Sequence, residues 1–228
     1  MAPQVSFIIP ALNEAAGIAP LLEDLRRRYP GWETVVVDGG SGDDTVRRAM
    51  PRCDQLLLAP PGRARQMNLG AAVARGDYLC FLHADSRPGV AAAQLASYLR
   101  REPDWGFCQL RLDGTRRVYR VIEWCINWRS RLTAIGTGDQ MLFLRREVFE
   151  RSGGFDRLPL MEDVAYCKRL RRLGPPLVLP EPVTTSSRRW EEGGVARTVL
   201  RMWCLRLAYW LGVSPARLAR HYTRRAAA

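Results

Sequence analysis

The chain has 228 residues, 47% hydrophobic and 25% charged, which excludes a disordered or collagen-like protein and allows one sizeable α/β domain with its own core. It carries 35 basic residues against 23 acidic ones, formally +12, a balance that points to an anionic partner such as nucleic acid, a phosphorylated small molecule or an acidic membrane. The excess is one-sided: residues 1–115 hold 13 Arg and 13 acids, whereas residues 116–228 hold 22 Arg plus Lys and 10 acids.

In chain order, Val5 to Ile9 is an apolar run predicted as a strand, and Glu14 to Tyr29 follows with helical spacing (Ile18, Leu21, Leu22, Leu25) and a Pro30-Gly31 stop. Thr34 to Val37 predicts a second strand, Asp43 to Met50 a short helix, Gln55 to Ala59 a third strand, Arg63 to Arg75 an Ala-rich helix and Tyr78 to Leu82 a fourth strand. This alternation with short loops is the pattern of a parallel sheet covered by helices. Ligands in such sheets bind at the carboxyl ends of the strands, so the loops after Ile9, Val37, Ala59 and Leu82 are expected to share one crevice. Beyond them, Ala91 to Arg100 predicts a helix, Gly106 to Leu112 a strand, Arg116 to Leu132 a helix carrying Trp124 and Trp128, and Gln140 to Leu144 a strand. Helices over Arg146–Arg151 and Leu160–Leu173, a short strand over Leu177–Leu179 and a basic, Trp-rich helix over Val195–Gly212 complete the pattern. No repeat or linker divides the chain, so residues 1–228 are expected to form one domain.

Six scattered cysteines form no C-x-x-C pair, and the spacing supports neither a zinc site nor a redox motif. The first residues lack the basic and long apolar regions of a signal peptide, and no stretch reaches the ~18 apolar residues of a spanning helix. The expectation is a cytoplasmic protein, free or peripheral at the inner face of the membrane. No zinc-finger spacing or RNP-like signature supports a nucleic-acid module.

Several residues carry chemistry. Asn13 in Pro10-Ala11-Leu12-Asn13-Glu14 reads as a helix N-cap, and Asp38 before Gly39-Gly40 as an acid able to accept hydrogen bonds from a base or ribose, or as a turn residue. Gly62-Arg63-Ala64-Arg65-Gln66-Met67-Asn68 opens a helix with two arginines where dipole and guanidinium both favour a phosphate. Strand alternation would put His83 and Asp85 on one face, within reach of one cation if the backbone stays extended. Glu162 and Asp163 suit the first turn of a helix, and Gly136 to Gln140 reads as a turn entering a strand.

The succession SFIIPALNE, VVVDGGSGDDT, GRARQMNLGAAVARGDYLCFLHADS, GTGDQMLFLRREVFERSGGFD and MEDVAYCKRLRRLG resembles the family 2 glycosyltransferases of the GT-A fold. The LHAD, GTGDQ and SSRRW segments also resemble a small soluble sub-family associated with arsenosugar biosynthesis. The resemblance implies an α/β, Rossmann-like GT-A domain whose mostly parallel central sheet is flanked by helices, with a nucleotide-binding half to about residue 87 and an acceptor-binding half over residues 88–228. It implies inverting, metal-dependent transfer of a sugar from a nucleotide diphosphate, UDP-linked, to an acceptor hydroxyl. Carried over by position, Pro10, Ala11, Leu12, Glu14, Asp38 and Gly39 hold the nucleoside, with Arg63, Arg65, Asn68 and Ala84 along the nucleotide. Asp85, with His83, takes the divalent metal, Mn²⁺ or Mg²⁺; Asp163 is the catalytic base, with Glu162 beside it. His83 replaces the first Asp of the D-x-D motif, and an imidazole suits Mn²⁺ better than Mg²⁺.

Asp139 and Gln140 are expected on the acceptor side. So are Arg189 and Trp190 of Ser186-Ser187-Arg188-Arg189-Trp190, which resembles the Q-x-x-R-W motif of processive members with Ser for Gln. The expected partners are a nucleotide-sugar donor and an acceptor the sequence does not identify, not nucleic acid. The Val195–Gly212 helix, with Arg197, Arg201 and Arg206 among its apolar residues, reads as a helix packed on the core, a dimer contact or a membrane-interface helix. Two rival readings are a catalytically silent sugar-nucleotide binder, motivated by His83, and a nucleic-acid or anionic-surface binder, motivated by the charge.

Overall fold

The computed structural model describes residues 3–223, the side chains of Arg189 and Thr223 excepted. Strands β1 (Val5–Ala11), β2 (Glu33–Asp38), β3 (Gln55–Leu58), β4 (Tyr78–Phe81), β5 (Ser86–Pro88), β6 (Trp105–Leu112), β7 (Leu142–Arg145) and β8 (Leu177–Thr185) form one sheet. Its order is β3-β2-β1-β4-β7-β6-β8-β5. The pairings make β1, β2, β3, β4, β6 and β8 run one way, with β7 and the edge strand β5 reversed.

Alternation along β1 explains why its run reads as continuously apolar. Val5, Phe7, Ile9 and Ala11 enter the cluster on one face of the sheet, and Ile8 enters the cluster on the other. Val36 against Val35 and Val37, and Cys80 against Leu79 and Phe81, repeat the division. Helix α1 (Ile18–Arg28) covers the first face with Ile18, Leu21, Leu22 and Leu25, one stripe at helical spacing. Helix α3 (Arg63–Val73) covers the second with Ala64, Met67 and Ala71. It lies close to the sheet because Gly70 has no side chain: a Cβ there would stand 2.6 Å from Ile8 Cγ2. Full burial of a side chain such as Phe7, Trp105 or Phe107 contributes about 1.5–3 kcal/mol.

The remaining helices are α2 (Thr45–Ala49), α4 (Ala92–Leu99), α5 (Arg117–Thr133), α6 (Arg146–Ser152), α7 (Glu162–Leu170), α8 (Arg188–Gly193), α9 (Val195–Trp210) and α10 (Pro215–Thr223). The predicted short strand at Leu177–Leu179 is in fact a nine-residue strand. Its pairing with β6 jumps from Cys108–Leu179 to Gln109–Pro182, so Pro180 and Glu181 form a bulge that hides the second half from pattern reading. Strand β5 and helices α8 and α10 are further elements absent from the predicted set. Pairing of Ser86 with Thr185 turns the chain after β8 back toward the end of β4.

The C-terminal helix packs partly as a core element. Leu205 of α9 joins Met161 and Val164 of the α7 region and Leu218 of α10. Arg201 donates to the Tyr222 carbonyl and lies 4.7 Å over that ring, so it fastens α9 to α10 and does not stand free in solution. No helix among the described residues is long and apolar enough to cross a membrane.

Candidate active site

The loops at the carboxyl ends of β1 and β2 are stitched into one wall. Asn13 takes a left-handed conformation (φ 54°), donates its backbone N–H to Ser41 Oγ (2.8 Å) and accepts the Gly42 N–H at Oδ1 (2.9 Å). It is a latch between loops and not the predicted N-cap of α1, which starts after Gly17. Glu14 N–H donates to Thr45 Oγ1 (2.8 Å) and Ala15 N–H to Asp43 (3.1 Å), so the Ser41-to-Thr45 segment braces the first loop. Asp38 is 2% exposed and spends its carboxylate on its own loop, accepting from the N–H groups of Gly40 and Ser41 and from the Ser41 hydroxyl. Pro10 and Ala11 are buried behind this wall, while Leu12 is 46% exposed. Gly39 presses against Gln66, whose buried amide donates to the carbonyls of Ala11 (2.9 Å) and Val37 (2.8 Å). Gln66, quoted but not assigned in the sequence reading, is the residue that ties α3 to both strand ends.

Arg63 and Arg65 are exposed at the start of α3. Arg63 lies within electrostatic reach of Glu14, Glu162 and Asp163 alike. Asn68 turns elsewhere. Its amide donates to the Phe155 carbonyl (2.8 Å) and accepts the Phe155 N–H (2.9 Å), which makes it a clamp on the Gly154–Phe155 loop in place of the expected nucleotide contact.

Strand β4 ends at Phe81 and His83 to Asp85 form a turn, closed by Ser86 N–H to the His83 carbonyl (3.1 Å). The extended backbone expected to put His83 and Asp85 on one face is therefore not formed. The His83 ring instead lies against Gly138: a Cβ there would be 2.4 Å from Nε2, so glycine is what admits the imidazole. Ala84 is buried, and Asp85 is exposed beside Glu14, whose carboxyl is raised by burial and by the Asp85 charge. Among the described residues no three His, Cys, Asp or Glu side chains converge on a cation position. A lone exposed carboxylate fits Mg²⁺ or Mn²⁺ that takes most of its oxygens from a bound diphosphate and water, and does not fit a protein cage.

Helix α7 begins at a strained left-handed Met161 (φ 66°) and immediately presents Glu162 and Asp163. Asp163 is anchored by two backbone donors, Gly138 N–H (2.9 Å) and its neighbour Val164 N–H (2.7 Å). Burial raises its pKa above the usual carboxylate range against the pull of those bonds. Glu162 is 7% exposed and pushed up to about 7, first by burial and then by the Asp163 charge. Both acids border a cavity of ≈ 10 Å³ shared with His83, Gly138, Met67, Phe81 and Phe155, about the space one water molecule needs.

On the expected acceptor side, Asp139 lies within electrostatic reach of Asp163 and of the largely buried Arg129, with its Oδ1 buried and unpartnered. Gln140 is a correction: it is 0% exposed and consumed internally, accepting from Ser130 Oγ (2.9 Å) and from Thr137 N–H and Oγ1 (3.0 Å each) and donating to the Cys108 carbonyl (3.2 Å). Trp190 packs on the Leu110, Leu112, Tyr119 and Ile122 cluster, and the Arg189 side chain lies outside the described residues. Arg188 is the missed member of that motif: it reaches Glu14 Oε1 at 3.9 Å, carried there by the β5–β8 pairing. The loops after β1 and β2 are bonded to each other, Gln66 of α3 is bonded to both strand ends, and Arg188 at the start of α8 reaches Glu14.

Among solved structures, the chain is similar to Staphylococcus aureus TarS 1-349 (TM-score 0.65, 18% identity, 81% of this chain and 60% of that one). It is also similar to the mannosyltransferase PcManGT from Pyrobaculum calidifontis in complex with GDP-Man and Mn²⁺ (TM-score 0.61, 24% identity, 91% and 61%). These likenesses identify the GT-A fold. In sequence it is 38% identical over 130 residues to the uncharacterized glycosyltransferase Rv1514c of Mycobacterium tuberculosis, covering 51% of this chain and 49% of that protein. It is 39% identical over 92 residues to a PGL/p-HBAD biosynthesis glycosyltransferase of Mycobacterium bovis, covering 37% and 36%. The chain thus spans about half or less of the curated relatives it matches. The glycosyl transferase family 2 model matches residues 6–153, well over half the sequence and every element from β1 to the end of α6, and the chain belongs to that family of glycosyltransferases.

Proposed function

We propose that this glycosyltransferase moves a sugar from a nucleotide diphosphate, UDP-linked, to an acceptor hydroxyl with inversion at the anomeric carbon. The observation that carries the reading is Asp163, held at the head of α7 by the N–H groups of Gly138 and Val164, with Arg63 in electrostatic reach both of it and of Glu14. The braced loops of β1 and β2 hold the nucleoside, Asp38 acting by shaping its loop. Arg63 and Arg188 face the diphosphate.

Asp163 takes the proton of the acceptor hydroxyl, whose oxygen bonds to the anomeric carbon as the carbon–oxygen bond to the diphosphate breaks and its electron pair leaves with the nucleotide. One displacement on the face opposite the leaving group inverts the configuration. Two backbone donors fix the Asp163 carboxylate, and its raised pKa brings it toward the range where a general base works best, an effect typically of about 10² to 10⁴-fold. Asp85 would hold a divalent cation together with the donor's oxygens, and that ion supplies charge neutralisation of the departing diphosphate. Among the fold neighbours, TarS has been seen with UDP and UDP-GlcNAc and PcManGT with GDP-Man and Mn²⁺, which is why a pyrimidine and a purine donor both belong in the test.

A thermal-shift and turnover screen of UDP- and GDP-sugars with and without Mn²⁺ should give protection and sugar release with the UDP class, strengthened by the metal. Selective use of GDP-sugars would overturn the donor assignment, and no response to any nucleotide sugar would overturn the reading as a whole.

A further inference from the structure

Two helices turn apolar faces outward with nothing from the described residues packed on them. On α9, Leu200, Trp203, Leu207, Trp210 and Leu211 are 66%, 71%, 57%, 74% and 67% exposed, and their spacing places them on one stripe. On α5, Val121, Trp124, Trp128 and Leu132 make a second stripe, 60%, 65%, 53% and 68% exposed, with the two indoles stacked at 6.2 Å. Both helices rest on one cluster beneath, α5 through Tyr119, Ile122 and Ile126, α9 through Val195 and Val199. Monomeric proteins rarely leave such aromatic faces open without a partner.

The charge around the stripes decides which partner. From residue 193 to residue 223 there is no Asp or Glu, while Arg197, Arg217 and Arg220 stand exposed in that span. On α5 the sole acid, Glu123, is buried and paired with Arg120 at 2.8 Å, leaving exposed Arg117 and Arg131 at the two ends of the stripe. In a two-fold contact between copies the same patch meets itself, so these arginines would find no carboxylate of α9 or α10 to pair with. An anionic bilayer instead offers apolar chains to indole and leucine and negative headgroups to guanidinium, the arrangement of helices that lie in a membrane interface.

We propose that α9 and α5 form a docking face for an anionic phospholipid surface. The inner side of α9 meets Met161, the residue before the acid pair, through Leu205. Docking would hold Glu162 and Asp163 about one helix diameter, roughly 10 Å, from the headgroups. The surface assignment stands independently of the transfer reaction proposed above.

The test is co-sedimentation of the intact chain with phosphatidylcholine vesicles and with vesicles containing about one-third phosphatidylglycerol, at low and high salt. Binding should require phosphatidylglycerol and weaken with salt, and Trp203→Glu with Trp210→Glu should lower it at least tenfold at an unchanged melting temperature, because both indoles are exposed. Trp124→Ala with Trp128→Ala is the second variant, used if the first fails to fold, with the same expectation. Failure of the intact chain to bind, or binding that ignores the tryptophans, overturns the proposal. Light scattering showing a dimer abolished by these substitutions, without vesicle binding, assigns the face to a second copy.

Discussion

At the residue scale, the site's chemistry depends on how the chain raises two adjacent carboxyls. Glu162 is pushed to about 7 in the folded protein, so between the ordinary carboxylate value and about 7 the folded state holds a proton that the unfolded state has lost. Stability contributed by this group is full below the lower value and falls as the pH rises through the upper one. Glu162→Gln should therefore stabilise the protein above neutral pH by about 1–3 kcal/mol in urea unfolding, and confer nothing near pH 4. The same change removes a charge beside Asp163, so the acid limb of the transfer rate should move to lower pH. A limb that stays in place would contradict the coupling. Gly138 gives a second check. An added Cβ must displace the His83 ring and disturbs the N–H that anchors Asp163, so Gly138→Ala should lower kcat at least tenfold while donor affinity, measured by calorimetry, stays near wild type.

At the scale of elements, α3 is the joint of the donor side. Gln66 spans two strand ends and Asn68 clamps the Phe155 backbone, so one helix aligns the nucleotide wall with the aromatic lining of the acid pocket. Gln66→Leu keeps the volume but leaves buried carbonyls short of a donor, and should cost about 1–3 kcal/mol in chemical denaturation with a parallel loss of nucleotide affinity. The parallel core was legible because β1, β2 and β4 are buried on both faces and read as unbroken apolar runs. Strand β8 was not, because its bulge carries Pro180 and the pairing resumes at Pro182, and β5 is three residues long. The start of α10 had a readable signal in Ser214-Pro215, with proline at the first helical position. Helix α8 had no comparable mark. Among the candidate site residues, the types and order pointed to Arg63, Asp85 and Asp163, whereas the clamp made by Asn68 depends on a partner 87 residues away, and Gln140 turns inward on Thr137 and Ser130 nearby and on the distant Cys108 carbonyl.

For the whole molecule, the one-sided charge has a clearer address than its total. The formally neutral first half builds the braced loops after β1 and β2, but Arg188 from the basic half returns to them through the β5–β8 pairing and meets Glu14. Residues from both halves of the chain therefore meet at Glu14, and only part of the positive excess is left for the outer faces of α5 and α9. The family is one of glycosyltransferases and the fold is GT-A, and the proposed function adds that Asp163 receives the acceptor proton. The most direct measurement is the donor-dependent transfer rate of Asp163→Asn beside wild type, with nucleotide affinity recorded on the same samples. The account predicts a fall of at least about 10²-fold with nucleotide binding preserved. Transfer at the wild-type rate by that variant would contradict it.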